Sequence, residues 1–144
     1  MIRDYMYFAD KEFKGLVATK QYNLDLDVGV IHAQQYLEKG LKQLVLLQTG
    51  EEFKTHKLTF LADKTGIDEL KPFKNILRQI QEYYFDKRYP SETYIETTEE
   101  EFEEVYNACV DIKAILDKWY NDLSNISINK NKTAKQMDIF NKIK

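Results

Sequence analysis

The chain has 144 residues, 43% hydrophobic, 13% aromatic and 31% charged, which is a globular profile long enough for one domain with its own core. Five Gly and two Pro exclude collagen-like and turn-dense β folds, and the lone Cys109 excludes an internal disulfide scaffold and points to a reducing compartment. A net charge of −3 supplies no global basic field for nucleic acid.

Apolar residues recur at helical spacing almost throughout, and period-2 alternation never lasts. A first helix is predicted from about Asp4 to Lys20, with Tyr5, Ala9, Phe13 and Leu16 on one face and Phe8 and Glu12 flanking it. A second begins near Asp25–Asp27, whose carboxylates suit a helix N-terminus. It runs to Gln48-Thr49-Gly50, with Gly50 as the stop and Val30, Ala33, Leu37, Leu41 and Leu44 as its buried stripe. Thr55 is positioned to cap a short third helix through about Lys64, with Leu58, Leu61 and Ala62 inward and Gly66 at its end.

The fourth helix is expected from about Pro72 to Tyr89, where Phe73, Ile76, Leu77, Ile80 and Tyr84 make the stripe and Pro90 stops it. Thr98 and Glu101 read as a capping box at the head of a fifth helix. Its stripe is Phe102, Val105, Cys109, Ile112, Leu116, Trp119 and Leu123. Residues 124–144 then hold Lys130, Lys132, Lys135, Lys142 and Lys144 against Asp138, a local +4 that leaves −7 on the rest. This tail is either disordered or docks as an added helix around Met137, Ile139 and Phe140. The expected architecture is all-α: residues 1–123 as an antiparallel, up-and-down bundle of four long helices plus one short one, followed by a basic Asn/Lys-rich tail over 124–144.

No apolar run approaches the roughly 20 residues of a membrane span, and Met1-Ile2-Arg3-Asp4 opens no signal-peptide core. A cytoplasmic protein without membrane contact is expected. Most catalytic templates are absent. The two histidines, His32 and His56, stand in no Glu-x-x-His or zinc spacing. No Gly-rich phosphate loop and no Gly-x-Ser-x-Gly elbow occurs. Cys109 sits on an apolar stripe, as a small hydrophobe would. No metal, cofactor or catalytic residue is expected.

Two polar features remain. His32, Gln35, Lys39 and Lys42, spaced by 3, 4 and 3, share one face of the second helix. Such a face is either an ordinary wet surface or a contact surface, and His and Gln are weaker choices than Glu or Ala for plain helix formation. Arg88-Tyr89-Pro90 ends the fourth helix; its guanidinium suits either the helix dipole or forked recognition of phosphate. Tyr83, Tyr84, Tyr89 and Tyr94 lie close enough in sequence to pack a rim or to stack a base.

The segment His32-Ala33-Gln34-Gln35-Tyr36-Leu37-Glu38-Lys39-Gly40-Leu41-Lys42 resembles the signature helix of HEPN (higher eukaryotes and prokaryotes nucleotide-binding) domains. Thr55-His56-Lys57-Leu58 resembles that family's Thr-His-x-Leu, and Arg88-Tyr89-Pro90 its Arg-Tyr-Pro. Ala9, Phe13 and Leu16 are similar to its first-helix pattern, and together the segments span about residues 4–123. The resemblance implies a five-helix bundle, usually homodimeric, with a biology of nucleotide or RNA handling. It often implies a toxin–antitoxin, defence or stress context beside a minimal nucleotidyltransferase partner. The family's ribonucleases carry Arg and His separated by four to six residues. No His follows Arg3, Arg78 or Arg88 in that window, so the motif lacks its base. The expectation is a non-catalytic nucleotide or RNA binder that offers His32, Gln35, Lys39, Lys42, His56 and Arg88 as donors in one pocket, with Tyr36 or Tyr89 for a base. The alternatives are a module pairing with a nucleotidyltransferase, and a ribonuclease with a rearranged site using Arg88 and His56.

Overall fold

The computed structural model describes the backbone of residues 3–143 and the side chains of residues 3–126. Helix α1 (Tyr5–Gln21) opens on Asp4, whose carboxylate accepts the Tyr7 N–H at 2.9 Å. Helix α2 (Leu26–Thr49) is capped by Asp25, which accepts the Val28 N–H at 3.2 Å. It stops at Gly50, whose φ of 75° is a left-handed conformation that favours glycine. Helix α3 (Leu58–Thr65) stops in the same way at Gly66, φ 64°.

A 3₁₀ turn (Asp68–Phe73) leads into α4 (Lys74–Gln81), and a one-turn α5 (Tyr83–Asp86) follows after a break at Glu82. Helix α6 starts at Glu99 and its backbone stays helical to Ile143. Every described element is helical, and none of the helices is long and apolar enough to cross a membrane.

The predicted stripes supply the core, except for Tyr5 and Tyr84, which are half-exposed and contact Glu52 and His56. Val30, Ala33, Leu37, Leu41 and Leu44 of α2 are fully buried, as are Ala9 and Leu16 of α1 and Val105, Cys109, Ile112 and Leu116 of α6. Helix α2 is the central element: α1, α3 and α6 all pack on it, and Leu58, Leu61, Leu77 and Ile80 complete the interior. Burial pushes the Cys109 thiol up, in keeping with a packing role.

Three local expectations are corrected. Thr55 does not cap α3; Lys57 occupies the cap position, and the Thr55 hydroxyl accepts the Lys57 N–H at 3.1 Å in the preceding turn. The fourth helix is not continuous from Pro72 to Tyr89. Pro72 lies inside the 3₁₀ turn, where its missing N–H is tolerated, and the ladder breaks again at Glu82. The capping box closes only on one side: Thr98 Oγ1 accepts the Glu101 N–H at 3.1 Å, while the Glu101 carboxylate takes the Tyr83 hydroxyl at 2.5 Å. The backbone of α6 continues helical through the tail to Ile143, and the basic side chains of the tail lie outside the described residues.

The connection from α5 to α6 is strapped across the start of α2. Asp27 accepts the Thr97 N–H at 2.9 Å and the Thr97 hydroxyl at 2.6 Å, and it also takes the Tyr94 hydroxyl. The Lys87 ammonium, 3.7 Å from Asp27, is nearly buried there. This strap fixes the chain on either side of Arg88 and Tyr89.

Candidate functional site

The signature helix α2 presents two carboxylate-centred clusters. Glu12 of α1 forms the first. It accepts His32 Nδ1 at 2.8 Å on one oxygen and Lys39 Nζ at 3.2 Å on the other. The imidazole lies on the α1 backbone at Gly15, where a Cβ would stand 2.7 Å from the ring. A larger residue at position 15 would therefore displace His32. The hydrogen bond from His32 is the main cause holding the Glu12 carboxyl below the usual range; Lys39 adds to it and burial opposes it.

A carboxylate depressed in the folded state stabilises the protein above its unfolded-state pKa, and that contribution disappears as pH falls through the folded value. Glu12→Gln should therefore destabilise the protein at neutral pH, and the deficit should shrink as pH falls through the lowered folded-state value of Glu12. Denaturant titrations at neutral and acid pH check this; an equal deficit at both would show that the charge of Glu12 is not what stabilises the fold.

Glu38 forms the second cluster and is itself nearly buried. Gln34, fully buried one turn earlier, donates to Glu38 Oε1 at 3.0 Å, and His56 Nδ1 meets the same oxygen at 2.8 Å. Lys42, one turn later, donates to Oε2 at 3.2 Å. The 34-38-42 spacing puts all three on one line of α2, and Glu before Lys at i,i+4 is the favourable order. Gln35 joins through its amide, which donates to Gln34 Oε1 at 2.6 Å.

His56, in the turn before α3, continues outward into a stack. Its ring lies 3.6 Å from the Tyr84 ring, 14° from parallel. The Arg88 guanidinium sits 4.5 Å from the centre of that same Tyr84 ring. Phe85 packs edge-on to Tyr84 at 4.9 Å and faces Tyr89 at 6.2 Å. Phe85 and Tyr89 are 59% and 51% exposed, so the stack opens to solvent along an aromatic edge. Arg88 is exposed and makes no ion pair among the described residues, so its charge is available to a ligand.

The expected donors are thus divided between two carboxylates. His32 and Lys39 pair with Glu12, while Lys42 and His56 pair with Glu38 and Arg88 joins them through Tyr84. Tyr36 is fully buried and cannot stack a base; its hydroxyl has no partner among the described residues, and burial raises its pKa strongly. Glu12, Gln34 and Glu38 were not among the expected site residues; Tyr84 was expected to pack a rim or to stack a base, and it stacks on His56. The available signal was the Glu38–Lys42 spacing inside the signature segment.

No group of three or more His, Cys, Asp or Glu among the described residues could hold a metal ion. No curated protein and no solved structure matches the chain. A family model, described as the HEPN domain, matches residues 9–119. That interval runs from the buried Ala9 of α1 through both carboxylate clusters and the His56–Tyr84–Arg88 stack to Trp119 of α6. By that match, and with an all-helical fold to accompany it, the chain belongs to the HEPN domain family, whose function is nucleotide- or RNA-related.

Proposed function

We propose that this protein binds a nucleotide or RNA without cleaving it, at the edge formed by His56, Tyr84, Arg88 and Tyr89. The observation that carries this reading is the exposed Arg88 guanidinium held against Tyr84 with no carboxylate partner among the described residues. A guanidinium is the side chain best matched to a phosphate oxygen pair, and the Phe85–Tyr89 edge beside it offers flat apolar surface to a base. Lys42 and His56 lie next to it but are engaged by Glu38, so they orient the edge more than they add charge.

The absence of an Arg-x4–6-His motif supports a non-catalytic role. Family membership supports a bacterial toxin–antitoxin, defence or stress setting, a homodimer, and pairing with a minimal nucleotidyltransferase. Calorimetry with ATP, GTP, cyclic nucleotides and a short RNA tests the binding reading. Arg88→Ala should weaken binding by roughly tenfold or more, the scale of one charge-assisted phosphate contact, while Lys39→Ala, whose ammonium is paired with Glu12, should change it little. Equal heats for wild type and Arg88→Ala, or no heat from any ligand, would refute it.

A ribonuclease with a rearranged site is the second reading, favoured by one observation. Glu38 holds His56 Nδ1, and the histidine side chain is 41% exposed, an arrangement in which the far ring nitrogen can act as a base. Incubation with structured and single-stranded RNA decides between the two. Cleavage lost in His56→Ala would establish this second reading; no cleavage by the wild type would eliminate it.

A further inference from the structure

The outward face of α1 carries a cationic stripe that the site above does not use. Tyr7, Lys11 and Lys14 recur at spacings of four and three and so share one side of the helix. Arg3, just before the Asp4 cap, reaches back over the Tyr7 ring at 5.9 Å, and Lys11 covers the same ring at 5.0 Å. Phe8 meets Tyr7 edge-on at 5.2 Å and is 44% exposed.

All three carboxylates on this stretch are engaged elsewhere. Asp4 takes the Tyr7 N–H and the Tyr120 hydroxyl, Asp10 pairs with Lys113, and Glu12 takes His32 and Lys39. Arg3, Lys11 and Lys14 are exposed and have no ion pair among the described residues. Three uncompensated cations interleaved with aromatic rings thus stand on a body whose first 123 residues carry −7.

Taking the ligand at Arg88 to be a nucleic acid, we infer that the Arg3–Tyr7–Lys11–Lys14 stripe is a second contact surface, one that holds the phosphates of a single-stranded nucleic acid. Cations spaced along a groove or ridge follow a phosphate backbone, and exposed rings between them stack bases without sequence preference. An acidic peptide would use the charges and leave the rings idle. Paired side chains of α1 and α2 lie between the two surfaces. Glu12 beside Lys11 holds Lys39, Lys39 stands one turn from Lys42, and Lys42 shares Glu38 with His56, which stacks on Tyr84 beneath Arg88.

The test is fluorescence anisotropy of the full chain with labelled oligouridylate of about ten nucleotides, titrated over a range of KCl concentrations. The variants are the triple Arg3→Gln/Lys11→Gln/Lys14→Gln and, separately, Arg88→Ala, each checked for an unchanged helical spectrum. Each phosphate contact on a single strand contributes about −0.7 to the slope of log K against log salt. The triple variant should flatten that slope by about 2 and weaken binding by at least tenfold at low salt.

An unchanged slope in the triple variant, with Arg88→Ala still weakened, would overturn the α1 surface and leave the Arg88 site standing. The opposite pattern would support the α1 surface and remove the Arg88 site. Poly-glutamate displacing the wild type as effectively as unlabelled oligouridylate would overturn the nucleic-acid assignment in favour of an acidic peptide. No binding by the wild type at any salt concentration would overturn both surfaces.

Discussion

Replacing Glu38 by Leu should lower stability by about 3 kcal/mol and the melting temperature by roughly 10 °C. The substitution keeps side-chain volume near the core but removes the acceptor shared by Gln34, His56 and Lys42. Gln34 is fully buried and has no route to water, so its stranded amide costs the full desolvation penalty, about 1–3 kcal/mol. Lys42, with a side chain 15% exposed, must also reach for solvent. His56 is 41% exposed and can rehydrate, so it adds least.

Glu38→Gln retains an acceptor oxygen and the shape, and should lose less than half as much. Chemical denaturation of the three proteins checks the order. A Leu variant as stable as the wild type would mean that Gln34 finds another partner. Such a variant would also separate support from contact. If Glu38 only orients His56 and the Tyr84–Arg88 stack, ligand binding should weaken while its salt dependence stays the same, because no phosphate contact has been removed.

Asp27→Ala should unfasten the segment from Lys87 to Thr97 at a local cost of about 3 kcal/mol. Three hydrogen bonds end on this one carboxylate, and the Lys87 side chain beside it is only 8% exposed. Its removal leaves the nearly buried Lys87 ammonium without a counter-charge, with only the Ile95 carbonyl to accept from it, and frees two hydroxyls and an amide. The segment can detach without opening the core, so the global melting temperature should fall by less than the local cost implies.

The sensitive observable is amide hydrogen exchange. Protection of the Thr97 N–H should drop about 100-fold, while that of Leu37 or Leu41 in the middle of α2 changes little. Undiminished protection at Thr97 would show that Tyr83–Glu101 and the α6 cap hold the segment by themselves. Because Arg88 and Tyr89 lie between the ends of this strap, the same variant should weaken ligand binding without touching a contact residue.

Most of the helical frame was legible in the sequence. The apolar residues of α1, α2 and α6 recur every three to four positions, and burial follows that period, with Leu37, Leu41, Ile112 and Leu116 all fully enclosed. Asp25 as a cap and Gly50 and Gly66 as stops were equally plain, since a cap depends on residues within one turn of it. The signature segment and Arg88-Tyr89-Pro90 located the relevant surface.

What the sequence concealed was how the donors are spent. Glu12 and His32 are 20 residues apart, Glu38 and His56 are 18 apart, and Asp27 and Thr97 are 70 apart. Whether such pairs meet depends on the rotation of each helix about its axis and on the course of each connection, and hydrophobic periodicity constrains neither. The residues of α2 determined that a polar face would exist and that Lys42 would meet Glu38; the packing of α1 and of the turn before α3 against that face decided that Lys39 and both histidines would meet carboxylates. The same packing set the Arg88 guanidinium against the Tyr84 ring, with no ion-pair partner among the described residues.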